Sequence, residues 1–211
     1  MGCDIHVYCE KRFFRDRKQR EGGAWVSVDK WKINEYRVLY PEDYEDEPEY
    51  EIDYDDRFYA GRDYFLFYVL AGVRGNDSWG PRIADPKGVP DDCCSHIKSI
   101  IDRWDSDGHS HSYLTLKELL DFDWNAKTEM EDTIRQDDYE TFIRKFPQED
   151  ILEETYRTIG DGYRIYKIKY LIPYKDVFPK FMDTIARMNS LINQRFNETQ
   201  DDIRLVFFFD N

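Results

Sequence analysis

The chain has 211 residues, with 44 acidic against 30 basic side chains and a formal net charge of −14. That balance argues against broad nucleic-acid backbone binding and against docking on anionic membrane, both of which need a cationic face. Aromatic residues make up 17% of the chain, enough ring area to close a core, so a disordered chain is excluded.

At the N-terminus, MGCDIHVYCE is charged within four residues and has no apolar leader, which predicts no secretory signal. Gly2 lacks the Ser or Thr that myristoylation requires, since His6 stands there. The longest apolar run, 64–73, is half a membrane span. The expectation is a cytoplasmic protein, with Cys3, Cys9, Cys93 and Cys94 as reduced thiols.

Residues 3–13 alternate as a strand, with Cys3, Ile5, Val7 and Cys9 on one face and Asp4, His6, Tyr8 and Glu10 on the other. A Gly22-Gly23 turn leads into a second strand over 24–33, giving a hairpin. Ten of the sixteen residues 41–56 are Asp or Glu, broken by tyrosines and prolines. This acidic stretch is expected to be a solvated insertion, or alternatively an arm that contacts a basic partner.

A helix is predicted from Arg62-Asp63 to Gly75, then a loop over 75–92. Asp91 or Asp92 is expected to cap a helix carrying Cys94, Ile97, Ile101 and Trp104 at helical spacing. The stretch DSDGHSHSYLTLKEL (105–119) reads as a loop entering a helix through a Thr115–Glu118 capping box. A polar helix over 129–146, a β-rich run over 163–174, a helix over 177–196 and a hydrophobic strand at the C-terminus complete the chain. The pattern predicts one α+β domain, residues 1–211. Its mainly antiparallel sheet combines the N-terminal hairpin with C-terminal strands, helices pack on one face, and 41–56 is the insertion.

Cys3-x-x-His6 has the spacing of half a zinc knuckle, but residues three apart on a strand point to opposite faces. Asp4 and His6 share a face and form the better ligand pair. Cys93 and His96 stand three apart on the predicted helix, again half a site, and the plainer reading is a core Cys94 beside an exposed His96. In 105–119, Asp105, Asp107, His109 and His111 keep one phase if the loop is extended. Carboxylate and imidazole together suit a divalent ion such as Zn or Mn. The helix start at Thr115 offers N–H groups to an anion, so Asp4, His6, Asp107, His109 and His111 form the candidate ligand site, and Asp4, His6, His109 and His111 its metal-ligating subset. The alternative is a structural turn at Asp107-Gly108, with Ser110 and Ser112 bonding local backbone.

Five blocks together carry a resemblance: MGCDIHVYCEKR (1–12), RDYFLFYVLAGVRG (62–75), IADPKGVPDD (83–92), RWDSDGHSHSYLTLKEL (103–119) and IRLVFFFDN (203–211). The chain resembles a family of small bacteriophage and bacterial proteins that open MGCDIH and carry a DGHSHSYLTL block. The blocks cover about half the chain. The resemblance implies a phage or prophage origin and a cytoplasmic setting, and carries over no catalytic residue. Where that family often has Arg-Gly-Leu-Pro, this chain has Lys87-Gly88-Val89-Pro90, and residues 41–56 have no counterpart. The leading expectation is an accessory protein that binds a basic host protein or a small anionic ligand through the polar Asp/His site. The alternatives are a metal-dependent hydrolase or phosphoesterase, and a purely structural histidine segment.

Overall fold

The computed structural model describes residues 2–16, 18–76 and 79–210. Met1, Arg17, Asp77, Ser78 and Asn211 lie outside the described residues, and with them part of the predicted 75–92 loop and the first residue of the Met1-Gly2 terminus. The protein is α+β, and its chain divides into two compact units, Met1–Phe122 with Lys180–Asn211, and Asp123–Pro179.

The first unit is built on β1 (Ile5–Phe13), β2 (Ala24–Ser27), β5 (Gly108–Thr115) and β9 (Ile203–Asp210), in the order β2-β1-β9-β5 with every pair antiparallel. The predicted hairpin is β1-β2. β9 lies centrally and is buried from Ile203 to Phe209. Apart from Arg204 this run is apolar, and burial along both of its faces belongs to a strand covered on both sides.

Both faces of this sheet carry helices, which corrects the one-face expectation. Ile97 and Ile101 of α3 (Ser95–Trp104) pack on Val206 and Phe208. On the opposite face Phe67 of α2 (Tyr64–Ala71) meets Phe209 edge to face, ring centroids 5.1 Å apart. α2 has no polar face, because six of its eight residues are buried. Its start is fixed by the Asp63 carboxylate, which accepts from the Phe65 and Leu66 N–H groups. It stops at Gly72, whose φ of 70° is cheap only for glycine. α7 (Pro179–Ser190) buries Phe181, Ile185 and Met188. It is shorter than the predicted 177–196, because a separate 3₁₀ turn, Gln194–Phe196, follows with Asn193 as its cap.

The predicted strand over 24–33 is broken in two. Asp29 accepts from the Cys9 N–H and the Ser27 hydroxyl and turns the chain, so β3 (Trp31–Ile33) leaves the main sheet. β3 pairs instead with β4 (Tyr50–Ile52), which lies inside the acidic stretch. That stretch is therefore not wholly an insertion without structure: Ile52 is buried, while residues 41–47 form exposed turns after α1 (Glu35–Leu39).

Residues 108–115 are the clearest departure from the sequence reading. The predicted loop is β5, an edge strand on β9, followed by the expected capping box at Thr115 and Glu118 and by α4 (Leu116–Asp121). Neither predicted aspartate caps α3. Cys94 holds the N-cap position, and Asp92 instead accepts from Arg204 and Trp25.

The second unit contains β6 (Lys127–Arg135), β7 (Ile151–Ile159) and β8 (Tyr163–Pro173) in the order β6-β8-β7, with α5 (Gln136–Ile143) and α6 (Tyr174–Val177). The helix expected over 129–146 exists only in its second half. In β6 the alternating Thr128, Met130 and Ile134 point inward, a period of two that the longer helical window concealed. The core of this unit is Tyr166, Ile168 and Tyr170, covered by Phe142, Ile143, Phe146 and neighbours. Among the described residues no helix is long and apolar enough to cross a membrane.

Candidate functional site

β1 and β9 run antiparallel with His6 opposite Phe208. The His6 ring stacks on Phe208 at 4.6 Å and leans on Trp104 at 4.4 Å. Its Nε2 lies 3.1 Å from Oδ2 of Asp210, and the other oxygen of that carboxylate accepts from the Asp4 N–H at 2.8 Å. Burial works against the charge on Asp210, but the His6 bond and the Asp4 N–H hold its pKa below the ordinary carboxylate value. An ionised Asp210 is an acceptor only, so His6 Nε2–H donates to it. In the neutral imidazole Nδ1 is then an acceptor.

The pairing of Asp4 with His6 is different from the one expected. Both reach Asp210, but the Asp4 carboxylate itself is exposed and pairs with Arg62 at 3.2 Å. His109 and His111 are separated by a bulge. Four residues of β5, from His109 to Ser112, oppose three of β9, from Phe209 to Phe207, and Ser110 takes a positive φ of 51°. One extra residue reverses the phase of a strand. His109 thus stacks toward Phe209 at 6.1 Å, and His111 toward Phe208 at 5.4 Å, on the other face.

His6 and His111 share the Phe208 face but flank the ring of that phenylalanine. Burial, with a smaller push from His109, lowers the His111 pKa, which favours its neutral form. The expected set of Asp4, His6, His109 and His111 is not gathered at one point. Among the described residues no group of three or more His, Cys, Asp or Glu stands where it would hold a metal ion.

At the Thr115 helix start, the site expected for an anion, the capping box already engages the N–H groups of Thr115 and Glu118. Glu118 accepts from the Thr115 N–H and is paired with Lys87. Cys3 and Cys9 are core residues, as the alternation predicts. Cys93 lies 3.6 Å from the buried Glu10 carboxylate, and His96 packs on Trp31 and Tyr50.

A cavity of about 390 Å³ opens over β1. His6 and Tyr8 of β1, Trp31 of β3, and Ile100, Arg103 and Trp104 of α3 line it. Asp107 and Arg57 also line it, together with Asp46, Glu47 and Glu51 of the acidic stretch. β1 contributes four consecutive residues to the lining, Ile5 and Val7 together with the half-buried His6 and Tyr8, which alternate with them along the strand.

Burial pushes the Tyr8 phenol up to about 12, Asp29 adds to that, and the charges of Arg57 and Arg103 pull the other way. At pH 7 Tyr8 is therefore a neutral group able to donate its O–H. Both arginines are exposed, and neither forms an ion pair with a carboxylate among the described residues.

Of the sequence candidates, the cavity unites His6 and Asp107. Asp105 is exposed with φ of 39° at the end of α3. Sequence reasoning missed Asp210, Tyr8, Arg57, Arg103 and both tryptophans. The trailing Asp of FFFD offers the one local signal, since a carboxylate ending a hydrophobic strand has to be explained. No family model, no curated protein and no solved structure matches this chain.

Proposed function

We propose that this is a phage-type accessory protein, acting in the cytoplasm, that binds a small anionic ligand in the cavity over β1. The observation that carries the reading is Arg57 and Arg103, two arginines without carboxylate partners at one cavity of a chain with net charge −14. In so acidic a chain, positive charge is neutralised easily, as the Arg204 pairs with Glu10 and Asp92 illustrate. Two unneutralised guanidiniums beside a neutral phenol offer an anion several charge-assisted hydrogen bonds. His6, oriented by Asp210, supplies a further polar atom to the floor. Concave sites with aromatic walls and a few convergent polar groups are the usual form of small-molecule sites.

The test is calorimetric titration with phosphate, pyrophosphate, sulfate and citrate, on the wild-type protein and on Arg57→Gln/Arg103→Gln. At least one anion binds saturably to the wild type, and the double variant loses about tenfold or more in affinity, the scale of charge-assisted bonds, with its melting temperature unchanged. The reading is abandoned if no anion binds, or if the double variant binds equally well.

A further inference from the structure

We infer that the anion of this cavity belongs to a nucleoside phosphate, with the base held by the aromatic wall and the phosphate by Arg57 and Arg103. The inference rests on the anion-binding reading above and adds to it the class of ligand. The cavity presents three chemistries side by side. Arg57 and Arg103 supply positive charge, Trp31, Trp104 and Tyr50 supply flat apolar surface, and Asp46 and Glu47 supply acceptors only, Glu51 being already paired with Lys32 at 3.1 Å.

A bare oxyanion uses the first of these and is repelled by the third. A sugar phosphate uses the first and third, through its hydroxyl groups, but leaves the rings facing water. A nucleoside phosphate uses all three: phosphate on guanidinium, ribose hydroxyl or exocyclic amino donors on carboxylate, and a base on the rings.

The rings are held for that task. Trp31 is fixed by its indole N–H, which donates to the Ser27 hydroxyl at 2.9 Å, and by stacking on Tyr8 with centroids 5.7 Å apart. Trp104 is braced by His6 and Phe208. A ring locked by its neighbours loses little freedom when a base stacks on it. The free carboxylates come from the turns before β4, so the acidic stretch contributes recognition here, and their charge selects against ligands that carry phosphate alone.

Titration calorimetry with the four ribonucleoside monophosphates, ribose 5-phosphate and inorganic phosphate tests this on the full chain. At least one nucleotide is expected to bind about tenfold tighter than ribose 5-phosphate, the gain from one stacked base. Tyr50→Ala/Trp104→Leu should erase that gain and leave ribose 5-phosphate binding unchanged, with folding checked by circular dichroism. Arg103→Gln should weaken nucleotide and sugar phosphate together. Equal binding of ribose 5-phosphate and every nucleotide overturns the inference while the anion reading stands. A base-dependent gain that survives in the aromatic double variant overturns it as well. Absence of binding by all six compounds removes both.

Discussion

Asp29 lies below the turn between β2 and β3 with one carboxylate oxygen bonded to the Cys9 N–H and the Ser27 hydroxyl, and the other buried without a partner. Burial raises its pKa to about 6, against the opposing effect of those two bonds. A carboxyl group whose folded pKa exceeds its unfolded value binds more protons in the folded state between the two. Its contribution to stability is therefore complete below about pH 4 and declines as pH rises through about 6. Relative to Asp29→Asn, the wild type should lose on the order of 2–3 kcal/mol between pH 4 and pH 7. Urea denaturation at both values measures this, and a pH-independent difference would sink the argument. Glu10 and Arg204 are the contrasting case. Both are buried, but each has the other at 2.7 Å, and Glu10 also accepts from the Cys94 N–H at 2.7 Å. A paired buried charge contributes order where a lone one costs stability.

At the scale of elements, β5 is the informative one. Its alternation is broken by the bulge at Ser110, which sends His109 and His111 to opposite faces although they are two residues apart. The positive φ at Ser110 makes the bulge sensitive to side-chain shape, since a β-branched residue is strained there and glycine is not. Ser110→Val is expected to cost about 1–3 kcal/mol, the range for a strained backbone position, and Ser110→Gly less than about 1 kcal/mol. Chemical denaturation of both variants checks this. If valine is tolerated as well as glycine, the left-handed bulge is not the conformation that β5 holds. The same element explains a misread signal. HSHSYL carries polar residues at most positions, as a loop does, yet its Ser112 and Leu114 are buried against β9. Edge pairing to a strong central strand overrides weak local propensity.

At the scale of the whole chain, the first unit has two-sided burial of β9 and the second a smaller core around Tyr166, Ile168 and Tyr170. Small units bury a lower fraction of their apolar surface and are less stable. Amide hydrogen exchange followed by mass spectrometry should show β1 and β9 protected longer than β6, β7 and β8. Equal protection across both sets would mean that the two units open as one. The net charge of −14 also acts at this scale. It disfavours polyanions over the surface generally, so any affinity for a small anion has to come from local geometry such as Arg57 and Arg103.

Residues with a strong local signal were readable in the sequence by itself: the alternation of β1, the Asp63 start of α2, the Thr115–Glu118 capping box, the buried Cys3 and Cys9 and the α+β class, whereas α2 ends at Gly72 and not at the expected Gly75. Each depends on neighbours within a few positions, where periodicity and capping chemistry act. Tertiary structure decided the rest. Antiparallel pairing of β1 with β9 brings Asp210 to His6 across 204 positions of chain. A single inserted residue in β5 divides the two histidines that looked like one motif. The meeting of Arg57 and Arg103 with Tyr8 requires a turn, a helix and a strand to converge on one cavity. Strand pairing, bulge phase and convergence are long-range, and no local spacing encodes them.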